Sequence, residues 1–73
     1  MDKIFTEKRL KITARELDII NVLAKGYSND EIGKELFMSV HTVKSHLESI
    51  YQKFGVKNRV QLIVYAFKNR LIE

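Results

Sequence analysis

The sequence predicts an all-α chain, a compact four-helix domain containing a helix-turn-helix, and three observations carry that reading. Thr13 with Glu16, and Ser28 with Glu31, have the spacing of capping boxes, and each pair is followed by apolar residues at helical spacing. No stretch alternates apolar and polar residues as a strand would, and proline is absent. Gly26 and Gly55 fall just past apolar-periodic runs, where a helix closes in the left-handed conformation that glycine tolerates best.

Residues 1–12 read as an N-terminal arm and residues 13–73 as the helical domain. The first helix opens at Thr13, turns Leu17, Ile20, Leu23 and Ala24 inward, and closes at Gly26. The second, about 29–37, is capped by Ser28 and buries Ile32 and Leu36. Ser39 caps the third, about 40–54, whose buried stripe is Val43, Leu47, Ile50 and Phe54. Asn58 caps the fourth, about 59–70. There Val60, Ile63, Val64, Phe67 and Leu71 make one apolar arc expected to close the core. Leu62, Tyr65 and Ala66 make a second apolar side, which calls for a partner. Either the arm residues Ile4, Phe5, Leu10 and Ile12 cover it, or the same helix of a second subunit does.

Seventy-three residues make one small domain, of a size that buries only about 60% of its unfolded surface. The composition, 45% apolar and 30% charged, is that of a folded chain and not of a disordered one. Without cysteine there is neither a disulfide framework nor a thiolate metal site. No run of 18 apolar residues is present to span a membrane, and the first residues lack the apolar core of a signal peptide. A cytoplasmic chain without cofactor or metal is therefore expected.

Charge is distributed unevenly. Residues 1–12 carry +2, residues 13–36 carry −2, residues 37–59 carry +3 and residues 60–73 carry +1. The most basic segment holds the third helix, which favours a polyanionic partner. Opposite the buried stripe of that helix stand His41, Ser45, Glu48 and Gln52, flanked by Lys44 and Ser49. All can donate or accept hydrogen bonds, as a helix reading base edges in the major groove must. Lys44, Ser45, Glu48 and His41 are the expected base readers.

The edges of the same surface supply the expected phosphate contacts. Thr42 brings a hydroxyl to the start of the third helix, where free N–H groups and the helix dipole favour an anion. Asn29 begins the second helix in the same manner. Lys53, Lys57 and Arg59 supply long cationic side chains at the far end.

Catalysis finds no support in these residues. His41 and His46 lie about 140° apart around a helix and cannot share a metal. No Gly-rich phosphate loop, carboxylate pair or nucleophile–base arrangement stands out. The aromatics fall mostly on core stripes, so no stacking platform for RNA is formed. The alternative to DNA binding is a small helical docking module, which would have no use for a polar third-helix face bordered by bases.

These motifs together resemble the LuxR-type (LuxR/GerE) helix-turn-helix domain of bacterial transcription regulators, including the output domains of NarL-type response regulators. The matching residues are Thr13-x-Arg15-Glu16, then Gly26-x-Ser28-Asn29-x-Glu31-Ile32, then Leu36-x-x-Ser39-x-x-Thr42-Val43-Lys44-x-His46. They continue through Ile50, Lys53, Gly55-Val56, Arg59 and Ala66, covering roughly residues 10–68. The resemblance implies sequence-specific binding of double-stranded DNA by the third helix, with Lys44 and Ser45 toward bases and Thr42 and Lys53 toward phosphates. Glu48 departs from the basic residue that several relatives place there, which implies a different base preference. The resemblance also implies a homodimer through the fourth helix, with Leu62, Tyr65, Ala66 and Asn69 as its expected interface. RNA polymerase is a further expected partner of such a regulator.

Overall fold

The computed structural model describes residues 12–72. Within them lie four helices, α1 (Ala14–Ala24), α2 (Asn29–Leu36), α3 (Val40–Phe54) and α4 (Arg59–Lys68). The arm residues Ile4, Phe5 and Leu10 lie outside the described residues; Ile12 packs half-buried against the core. No helix among the described residues is long and apolar enough to cross a membrane.

Each helix begins where its cap dictates. Thr13 and Glu16 exchange side-chain and backbone hydrogen bonds, both 3.0 Å, as do Ser28 and Glu31 at 2.8 and 3.2 Å. Ser39 Oγ accepts from the Thr42 N–H, and Asn58 Oδ1 from the Gln61 N–H. These bonds satisfy donors that a helix start otherwise leaves bare.

The helix ends are less uniform than the glycines imply. Gly26 and Gly55 do take positive φ, 90° and 71°. α2, however, stops one residue short of expectation, because Phe37 takes the left-handed conformation at φ 60° and sends the Met38 N–H back to the Gly33 carbonyl. α4 stops at Lys68 rather than near Arg70. There Arg70 is left-handed at φ 58°, and the Leu71 N–H returns to the Ala66 carbonyl, a closure of the Schellman kind.

The core is one cluster. α1 contributes Ile19, Ile20, Val22 and Leu23, α2 contributes Ile32, and α3 contributes Val43, Leu47, Ile50 and Phe54. Ile19 and Val22 join the expected Ile20 and Leu23, while Leu17 and Ala24 are only half-buried.

The fourth helix is rotated relative to its sequence reading. Leu62 and Ala66, expected at a dimer interface, are fully buried in the core, and Tyr65 stacks on Phe54 with ring centroids 4.7 Å apart. Asn69, expected there too, is half-buried and donates its side-chain amide to the Tyr65 carbonyl. Val60, Val64 and Phe67, expected inside, are 66%, 46% and 50% exposed. Both sides of this helix are apolar, so periodicity alone does not say which one faces in. With Leu62 and Ala66 turned inward and Tyr65 stacked beside Phe54, α4 packs against α1 and α3.

Candidate nucleic-acid interface

The α2–α3 connection is three residues, Phe37 to Ser39, and its tightness has a specific origin. Gly33 packs against the returning chain so closely that a Cβ there would stand 2.5 Å from the Met38 carbonyl oxygen. Capping and apolar periodicity give Gly33 no role. A glycine inside an otherwise well-capped helix was the available signal, since it costs about 1 kcal/mol relative to alanine and persists for a packing reason.

Behind that turn α3 buries Val43, Leu47, Ile50 and Phe54 and turns His41, Lys44, Ser45, Glu48, Ser49 and Gln52 outward, all exposed. The expected base-reading stripe is thus solvent-facing and continuous. His46 sits half-buried at its edge. Thr42 lies at the first turn, where Ser39 Oγ–H donates to its hydroxyl oxygen at 2.9 Å.

Lys44, Glu48, Lys57, Arg59 and Asn29 line one open groove between α3, the start of α2 and the α3–α4 loop. Five of the nine residues expected at the interface therefore share a single concavity. Tyr51 lines it as well, a residue not among those expected from the sequence. Tyr51 stands three residues beyond Glu48 and seven beyond Lys44, so helical spacing placed it on the margin of the polar stripe.

The expected phosphate contacts do not all point the same way. Arg59 is turned back on α2, its Nη1 donating to the Tyr27 carbonyl at 3.1 Å and its Nη2 to Asn29 Oδ1 at 2.5 Å. Lys53 is turned onto α1, its Nζ 2.7 Å from Oε1 of Glu16. Burial alone would push the Glu16 carboxyl up. The hydrogen bonds from Lys53 and from the Thr13 N–H outweigh it and hold the group below its ordinary value of 4.5. Among the described residues no cluster of His, Asp or Glu could hold a metal ion.

A polar, base-bordered helix set behind a tight turn from a short capped helix, on a four-helix core, defines a helix-turn-helix DNA-binding domain. The family described as GerE, bacterial regulatory proteins of the luxR family, matches residues 10–66. The chain belongs to that family, and its function is that of the DNA-binding domain of a transcription regulator.

Its relatives agree. The chain is 46% identical over 61 residues to the transcriptional regulatory protein LiaR of Bacillus subtilis (strain 168), spanning 84% of this chain and 29% of LiaR. It is 45% identical over 62 residues to the oxygen regulatory protein NreC of Staphylococcus aureus (strain JH9), spanning 85% of this chain and 29% of NreC. The crystal structure of the response regulator ChrA, of a heme-sensing two-component system, superposes with a TM-score of 0.80 at 41% identity, covering 89% of this chain and 35% of ChrA. The chain thus spans less than a third of the length of the curated relatives it matches.

Proposed function

We propose that this chain is the sequence-reading output unit of a response-regulator-type transcription factor and binds its DNA site as a twofold dimer. The observation that carries the reading is α3, which exposes His41, Lys44, Ser45, Glu48, Ser49 and Gln52 on one side and buries Val43, Leu47, Ile50 and Phe54 on the other. Laid in the major groove, the stripe offers Lys44, Ser45, Glu48 and His41 to base edges. Lys44 donates to guanine N7 and O6, and Glu48 accepts from a cytosine amine. Thr42 and Lys57 contact the flanking phosphates, which supplies affinity without sequence information.

The dimer forms through the outer side of α4. Val60, Val64 and Phe67 are exposed on one helix face, at a spacing that a solvated helix has no use for. Lys68 and Gln61 border the same shallow apolar surface and give it a polar rim. A twofold pairing there sets two α3 helices about one DNA turn apart. RNA polymerase is the further partner of the assembled regulator.

The test is selection of bound genomic DNA fragments by the purified chain at two salt concentrations. A shared motif with paired half-sites is the expected result. Enrichment without a motif, collapsing steeply as salt rises, would reduce the interaction to backbone attraction and favour the docking module.

A further inference from the structure

α2 is an eight-residue helix, too short to be stable by itself, and Ile32 is its one fully buried large side chain. Two arginines hold its ends. At the N-terminal end, Arg59 reaches across 30 or more residues of sequence to the Tyr27 carbonyl and to Asn29 Oδ1. At the other end, Arg15 Nη2 donates to the Leu36 carbonyl at 2.6 Å. Arg15 lies in α1 and Arg59 opens α4, so neither belongs to the helix-turn-helix pair itself.

The two ends differ electrostatically. A cation beside the last carbonyls of a helix is favoured by the helix dipole, which accounts for Arg15. A cation at a helix start is disfavoured, so Arg59 must owe its place to the two oxygens aimed at it. A guanidinium engages two acceptors at once in a fixed fork, which a lysine ammonium does not reproduce.

We propose that Arg59 and Arg15 are positioning residues for DNA reading. They fix the tilt of α2 and, through the three-residue turn, that of α3, and Arg59 does so without forming a phosphate contact of its own. The inference rests on α3 being the reading helix. It assigns Arg59 a different role from the phosphate contact that the sequence predicts.

The experiment uses the 73-residue chain and its Arg59→Ala, Arg59→Lys and Arg15→Ala variants. Each is titrated over a salt range with a duplex carrying the site selected by the parent chain, and with a scrambled duplex of equal length. Thermal unfolding is followed in parallel. Loss of alignment is expected to cost roughly 3- to 30-fold in affinity for the selected duplex, the range of residues coupled to a site without touching its ligand. Arg59→Lys should fail to rescue, while affinity for the scrambled duplex and the salt slope stay at parent values.

A phosphate contact would behave otherwise. Arg59→Ala would weaken both duplexes and lower the salt slope by about 0.9, and Arg59→Lys would restore most of the binding. That result overturns the proposal, as does a lowered melting temperature with selectivity intact. Recovery of no preferred site by the parent chain would overturn the DNA-reading assignment itself, and the proposal with it.

Discussion

The Lys53 ammonium and the Glu16 carboxylate meet at 2.7 Å across 37 residues of sequence, tying the last turn of α3 to the first turn of α1. The same Glu16 oxygen accepts the Thr13 N–H, so one carboxylate serves both a helix cap and a tertiary bridge. Its depressed pKa gives stability a defined pH dependence. The contribution is complete above the ordinary value of 4.5 and is lost as pH falls through the lower folded-state value. Glu16→Gln should remove that portion of the acid sensitivity and lower stability at pH 7 by about 1–2 kcal/mol. Urea unfolding at pH 7 and near pH 3.5 measures both; equal losses at the two pH values would dissociate Glu16 from acid unfolding.

Gly33→Ala opposes local propensity to packing. On an isolated helix the change would stabilise by about 1 kcal/mol. Here the new methyl meets the Met38 carbonyl at 2.5 Å, and the turn must shift. A net loss of about 1–3 kcal/mol is expected, together with weaker binding of the selected duplex. Denaturant midpoints decide the sign, and a rise in midpoint would mean that the turn yields freely.

The two sides of α4 should respond oppositely to a carboxylate. Leu62→Asp places a charge where the side chain is fully buried and should cost about 3–5 kcal/mol or prevent folding. Val64→Asp lies on the exposed side and should leave the helical circular dichroism signal unchanged while abolishing the proposed α4 dimer. Sedimentation equilibrium, alone and with the selected duplex, reports the second effect. A dimer that persists in Val64→Asp would move the interface elsewhere.

Lys44→Ala tests the reading stripe directly. If Lys44 spans guanine N7 and O6, its loss should cost about 1–3 kcal/mol on the selected duplex and relax the preference at one base position. A uniform loss on all sequences with a reduced salt slope would reassign it to phosphate.

How far the sequence could be read depended on whether a feature was local. Caps and glycine stops act within a few residues, so the starts of all four helices and the buried stripe of α3 followed from spacing alone. The exposed stripe followed from the same arithmetic. The orientation of α4 did not, because Leu62 and Ala66 compete with Val60, Val64 and Phe67 for the interior, and only the shape of the neighbouring helices decides between them. Lys53 and Arg59 were legible as cations but not as to their targets. Their partners, Glu16, Tyr27 and Asn29, lie more than 25 residues away, and no periodicity connects residues at that distance. Phe37 gave no warning either, since a left-handed aromatic obeys the geometry of its turn and not its own preference.

The connections between helices are three or four residues long, and each follows directly from a built-in stop. In such a chain most native contacts join neighbours in sequence, and helical domains of this kind fold in microseconds to milliseconds. A ribosome adds roughly 5–20 residues each second, so adding one residue takes tens of milliseconds or more. Once its last helix has cleared the exit, this domain should complete its fold before the next amino acid is joined. The four helices of newly made copies would then reach DNA already folded, so their own ordering would draw little on the binding free energy.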